Sequence, residues 1–166
     1  MNHEPDETVA FKTLSPQPVI SVRRTVPVAE LPQTQAESLT ALWTHLGELG
    51  VGPAGSPYVR YHTFGETETD VEVGVPVQDA AAGMGEVAAG ELPGGPAVTT
   101  WHLGAHDRLA GAYERLTAWT GAAPYEPEGG AWEVYTWIDL AHRPDPAAWP
   151  APSTWRTQLV QPLNRV

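Results

Sequence analysis

The segment Ala131-Trp132-Glu133-Val134-Tyr135-Thr136-Trp137-Ile138 sets a carboxylate and two large rings at every second position. In an extended strand, side chains alternate faces, so Glu133, Tyr135 and Trp137 would share one side and Trp132, Val134 and Ile138 the other. The second set suits a core beneath a helix. Glutamate is a poor strand former and gains nothing locally there, which invites a functional reading. Aromatic faces attract flat apolar molecules and cations, and an adjacent carboxylate adds charge complementarity. The competing explanation, a solvent-facing glutamate on a half-exposed sheet, is weakened by the rings that share its face. If the chain repeats, Val59, Tyr61 and Thr63 lie opposite this row and Tyr61 becomes a second wall. Trp101 is a further candidate that could equally face a helix.

Other chemistry finds less support. His102 and His106 have the spacing of two metal ligands on a helix, but Gly104 lies between them, so no metal is expected. Ser15, Ser21, Ser38, Ser56 and Ser153 sit in no G-x-S-x-G elbow. The glycines of Gly83-Met84-Gly85 and Gly94-Gly95 lack the strand-to-helix context and the lysine of a phosphate loop, and no cofactor is expected. The chain has no cysteine, which excludes disulfides, thiolate metal sites and cysteine nucleophiles.

The elements that must position these groups recur in the same order. Val19, Ile20 and Val22 open a strand that ends at Pro27. Leu39, Leu42, Trp43, Leu46 and Leu49 recur at helical steps, and Gly50 with Pro53 stops them, so Thr34 to Leu49 is an amphipathic helix. Tyr58 to Phe64 and Asp70 to Val77 form a hairpin, the latter alternating Val71, Val73, Val75 and Val77 with other residues. The same order returns as a strand over Ala97 to Leu103, a helix through Leu109, Tyr113, Leu116 and Trp119, and strands Trp132 to Ile138 and Trp155 to Leu163. Leu39, Leu42, Trp43 and Leu46 map onto Leu109, Ala112, Tyr113 and Leu116 at a constant offset. The expected fold is α+β: two β-α-β-β halves about a pseudo-twofold axis, antiparallel sheets, two long helices and a central cleft. Residues 1–14 are expected as a flexible tail and 15–166 as one domain, with halves at about 15–77 and 86–166. Each half is too small to bury a core alone, so Gln78 to Pro96 is not read as a flexible linker, and Glu86 to Ala88 is a candidate edge strand.

The formal charge of −11, from 20 acidic residues against 9 Lys plus Arg, repels phosphate backbones and anionic membranes. Lys12 is the one lysine, and Arg23-Arg24 is a lone basic pair expected at an exposed strand edge. No nucleic-acid or membrane partner is expected. Met1 to Ala10 lacks the basic flank and apolar run of a secretory signal, and no stretch approaches ~20 apolar residues, so a cytoplasmic location is expected.

From about Val19 to Leu163 the chain resembles the GyrI-like effector-binding domains, found alone or behind helix-turn-helix regulators of the AraC and MerR types. The resemblance rests on Val71-Glu72-Val73-Gly74-Val75-Pro76-Val77, on His102-Leu103-Gly104 leading into Leu109 to Trp119, and on Trp132-Glu133-Val134-Tyr135. It implies a duplicated fold and a glutamate at Glu133 that meets lipophilic, often cationic, aromatic compounds. These residues contain no DNA-binding region, so a standalone small-molecule binder is expected, with Glu133, Tyr135, Trp137, Tyr61 and Trp101 as its ligand-binding residues. Some members of that family hydrolyse cyclopropane-bearing genotoxins, so the alternative is a hydrolase using Glu133 as acid or base with Tyr135. A protein-interaction inhibitor, of gyrase for example, is a third reading by analogy alone.

Overall fold

Val71, Val73, Val75 and Val77 are all buried, and the computed structural model, which describes residues 6–166, places them beneath a helix. Among the described residues the order is β1 (Ala10–Leu14), β2 (Gln17–Pro27), α1 (Leu31–Leu49), β3 (Tyr58–Phe64), β4 (Glu68–Pro76), β5 (Ala88–Leu92), β6 (Gly95–Leu103), α2 (Ala110–Gly121), β7 (Tyr125–Pro127), β8 (Trp132–Tyr135) and β9 (Arg156–Arg165). Pro32 sits in the first turn of α1, where its missing N–H costs nothing. Gly50, with φ of 68°, closes that helix as the Gly50 and Val51 amides bond back to Gly47 and Leu46.

The strands form one antiparallel sheet in the order β1-β6-β9-β8-β3-β4-β2-β5, with β7 added beside β9. Only Ser15 and Pro16 join β1 to β2, although five strands stand between them in the sheet. Neighbouring strands are about 4.8 Å apart, so a flat sheet would separate these two by roughly 29 Å. Two linking residues reach only about 10 Å. Pro93 and Gly94 join β5 to β6 across an equal span. The sheet therefore has to curl until its ends meet, and at the meeting point Gly94 lies too close to Pro16 and the Leu14 carbonyl for any side chain.

Both helices cover one face. Under α1 lie Ile20, Val22, Val59, Val71, Val73 and Val75; under α2 lie Val98, Leu159 and Leu163. The opposite face carries its own small core of Val19, Tyr58, Leu92, Ala97, Trp132 and Val160. Gly74 is required there, because a Cβ would fall inside the Tyr58 ring, which crosses β4 and donates its hydroxyl to Glu72.

Several expectations need correction. Ala10–Leu14, expected within a tail, is a strand paired with β6, and Phe11 stacks on Trp119 and lies tilted against Tyr125; residues 1–5 lie outside the described part. The strand expected to reach Ile138 ends at Tyr135, because the chain turns at Thr136, whose hydroxyl donates to the Arg156 carbonyl at 2.6 Å. Ile138 consequently joins the α1 core with Tyr135, while Trp132 and Val134 lie on the face away from the helices. The added edge strand is β5, which begins at Ala88, the last residue of the expected Glu86 to Ala88, and runs on to Leu92. Gln78 to Pro96 is tied down as expected: His45 Nε2 contacts the Ala82 carbonyl at 2.7 Å, Val87 is buried in the α1 core and β5 pairs with β2. No helix among the described residues is long and apolar enough to cross a membrane.

The Tyr58 packing makes a first prediction. Gly74→Ala should destabilise the fold by about 2 kcal/mol in urea unfolding, within the usual range for overpacking. Tyr58→Leu should relieve much of that loss in the double variant, and purely additive losses would show that the ring is not what excludes the Cβ.

Candidate functional site

Register puts Glu133 at the seam between the two helix-covered cores. On β8 it pairs with Val59 of β3, which lies under α1, and with Leu159 of β9, which lies under α2. Its side chain consequently faces the gap between the helices and is only 3% exposed. Both carboxylate oxygens are occupied: Tyr135 donates to Oε1 at 2.8 Å, and Tyr113, from α2, donates to Oε2. Among the described residues Glu133 has no ion-pair partner. Burial pushes its pKa up, against the opposing pull of the two tyrosine hydroxyls and the more distant His102. The same burial, reinforced by the Glu133 charge, pushes the hydroxyls of Tyr61, Tyr113 and Tyr135 up, so they act as neutral donors.

One opening lies at this carboxylate and a second at its partner Tyr135. One is a cleft of about 330 Å³ lined by Tyr61, Phe64, Tyr113, Ala131 and Glu133. The other is a cavity of about 80 Å³ behind Tyr135, walled by Gln35, His106, Trp137, Trp149 and Trp155 among others. Trp137 stacks at 4.8 Å on Tyr135 and at 4.3 Å, nearly parallel, on Trp155. The His106 ring lies within 5.2–5.4 Å of Tyr135, Trp137 and Trp155. Its Nε2 contacts Thr157 Oγ1 at 2.7 Å, and burial, aided by nearby His102, lowers its pKa to about 4. The Trp137 indole N–H is buried without a partner.

The residues expected at the site are thus partly assembled. Glu133, Tyr135 and Tyr61 come together, and Gln35 donates to the Tyr61 hydroxyl at 3.4 Å. Trp137 is adjacent, but as part of the ring stack rather than as a wall of the larger cleft. Trp101 is elsewhere: it pairs with Gln158, and Gln158 with its neighbour Thr99 lines a cavity on the other face of the sheet. Tyr113 was expected only as a helix-core position, since its spacing is that of any apolar residue on α2. Nothing in the linear pattern revealed that its hydroxyl reaches Glu133. His106 was weighed only as a metal ligand, and the described residues contain no cluster of three or more groups that could hold a metal. Arg23 pairs with Asp70, and Arg24 with Glu37 and Glu86, so this basic pair is neutralised on the protein itself.

The description of the GyrI-like small molecule binding domain matches residues 7–147. No curated protein matches the chain. Among solved structures, the EcmrR C-terminal domain is similar with a TM-score of 0.77 and 22% identity, covering 96% of this chain and 99% of that one. The chain spans 58% of the EcmrR chain in its DNA complex, with a TM-score of 0.75 and 22% identity over 96% of this chain. A hydrolase from Listeria innocua is similar at a TM-score of 0.65 and 9% identity, covering 98% of this chain and 94% of that one. SAV2435 bound to tetraphenylphosphonium is similar at 0.55 and 10% identity, covering 95% and 94%. At these identities the likeness establishes the fold: mixed α+β, an antiparallel curled sheet with two helices.

The buried imidazole supplies a second prediction. Because the pKa of His106 is lower in the folded state, its contribution to stability is complete above about 6.5 and is lost progressively as pH falls toward about 4. The stability difference between the wild-type protein and His106→Leu, followed by urea unfolding, should therefore shift against the wild type across that window. A difference independent of pH would show that His106 titrates normally.

Proposed function

Because the chain belongs to the GyrI-like small-molecule-binding family, we propose that its Glu133 cleft holds flat, lipophilic, preferably cationic aromatic compounds and serves in drug sequestration or resistance. One observation carries the reading: Glu133 is buried, its neighbours are neutral tyrosine hydroxyls, and no cation pairs with it among the described residues. A buried carboxylate without a counter-charge is costly, and a bound cation removes that cost. Tyr61, Tyr113 and Phe64 offer faces that attract both apolar rings and positive charge. Tetraphenylphosphonium, the compound bound to SAV2435, is a lipophilic aromatic cation. Tyr135 and Trp137 support the floor of the cleft from behind. The proposed setting is the cytoplasm, with no nucleic-acid partner.

The same reading takes the chain as a duplication. From the two edges the sheet runs β5-β2-β4-β3 and β1-β6-β9-β8, so β2-α1-β3-β4 and β6-α2-β8-β9 correspond and meet at β3 and β8. Leu42 and Leu46 on α1 and Ala112 and Leu116 on α2, at the constant offset, are buried alike. The pseudo-twofold axis of this reading lies between β3 and β8, and the strand order supports it, with Glu133 on β8 at the junction.

Glu133→Gln should weaken a cationic dye such as rhodamine 6G by about 1–3 kcal/mol and leave a neutral dye of similar shape nearly unchanged. In the wild type the cation's affinity should climb as pH rises through the raised Glu133 pKa, since the cation binds the ionised carboxylate and displaces its proton; in Glu133→Gln it should stay flat. Equal losses for both dyes, by fluorescence titration, would remove the charge role.

A second reading, hydrolysis of electrophilic or cyclopropane-bearing aromatics, draws on the same raised pKa. The Glu133 carboxylate, held by two hydroxyl donors, is oriented to take a proton from water as the water oxygen bonds to a polarised ring carbon; the ring C–C bond breaks, its electron pair passes to the other carbon, and that carbon takes the proton back from the Glu133 carboxyl. The binder reading expects no turnover when such compounds are incubated with the protein and followed by mass. Multiple turnovers lost in Glu133→Gln, with binding retained, would establish the enzyme instead.

A further inference from the structure

The face of the sheet away from the helices holds a cavity of about 420 Å³, larger than the Glu133 cleft. It lies where the sheet curls back on itself, since Leu14 of β1 and Leu92 of β5, from opposite ends of the strand order, both line it. Its apolar wall is Tyr58, Trp132, Val134 and Val160. No aspartate or glutamate lines it, although the chain carries 20 of them, and the one lysine of the sequence, Lys12, does. Thr99 is 3% exposed and lines this space. Gln158, on the neighbouring strand, lines the same cavity.

We propose that this cavity is a second small-molecule site, separate from the Glu133 cleft, for an organic anion with a flat apolar body. Mostly apolar walls with a few convergent polar groups are the usual composition of a ligand pocket, and the volume lies in the usual range. The ring system lies against Trp132 and Tyr58, Thr99 and Gln158 donate to the acidic group or to a carbonyl beside it, and Lys12 at the rim supplies the charge. The two faces then select opposite ligands: a buried carboxylate faces the gap between the helices, and Lys12, in a lining without aspartate or glutamate, faces the curl. Arg60 reinforces the preference from outside the lining, as its guanidinium lies 5.4 Å from the Trp132 ring centroid.

The experiment titrates the whole chain with 8-anilinonaphthalene-1-sulfonate, an anionic aromatic dye, below the thermal transition, and repeats the titration with tetraphenylphosphonium present in excess. Saturable binding is expected that tetraphenylphosphonium and Glu133→Gln leave unchanged. Lys12→Gln should weaken it about threefold and Lys12→Glu about tenfold, with a loss at high salt. Thr99→Val, nearly the same shape, should weaken it about fivefold and shows the hydroxyl's part independently of Lys12. Competition by tetraphenylphosphonium, full affinity in both the Lys12 and Thr99 variants, or no saturable binding would each overturn the proposal. If tetraphenylphosphonium itself fails to bind, the cationic reading of the Glu133 cleft falls, and the anionic site stands or falls on the Lys12 and Thr99 variants alone.

Discussion

Two short links, Ser15-Pro16 and Pro93-Gly94, each join strands that stand at opposite ends of the sheet. Because so short a link cannot cross the width of a flat sheet, the sheet has to coil. The coil gives the molecule two unlike faces. One is covered by α1 and α2; the other turns inward on Tyr58, Trp132 and Ala97. Gly94 and Gly74 both serve this geometry, one where the ends of the sheet touch and the other where Tyr58 lies flat across β4.

The coil also fixes where a carboxylate can be buried. Each helix covers its own group of strands, and the seam between them falls at β3 and β8, the centre of the strand order. A residue at that seam is shielded by the sheet below and by a helix on either side without being packed solid by either. Glu133 occupies it, and the tyrosines that hold it come from different elements, Tyr113 from α2 and Tyr135 from its own strand. Charge at such a place is costly unless hydrogen bonds or a counter-charge compensate the lost hydration.

The aromatic residues divide between two tasks. Tyr135, Trp137, Trp155 and His106 pack on one another around the smaller cavity, with His106 kept neutral by burial. Tyr61, Phe64 and Tyr113 leave faces open toward the cleft. Preorganising one group lets the other meet a ligand with less ordering on binding.

The sequence by itself determined the order of the two helices and their flanking strands, the helix that ends at Gly50, the hairpin of alternating valines and the grouping of Glu133 with Tyr135 and Tyr61. These are local properties, because periodicity, turn residues and a propensity conflict are written within a few neighbouring positions. It misplaced Ala10–Leu14, since an exposed five-residue strand becomes one only through its pairing with β6. It assigned Trp101 and Trp132 to the wrong surroundings or left them open, because alternation says which residues share a face but not which face meets the helices. Tyr113 on Glu133, the stacking of Trp137 against Trp155, and the acid-free cavity around Lys12 join residues far apart in the chain. Packing of α2 on the sheet, pairing of β8 with β9 and the curl of the sheet respectively bring them together, and long-range strand order is not encoded in any local pattern.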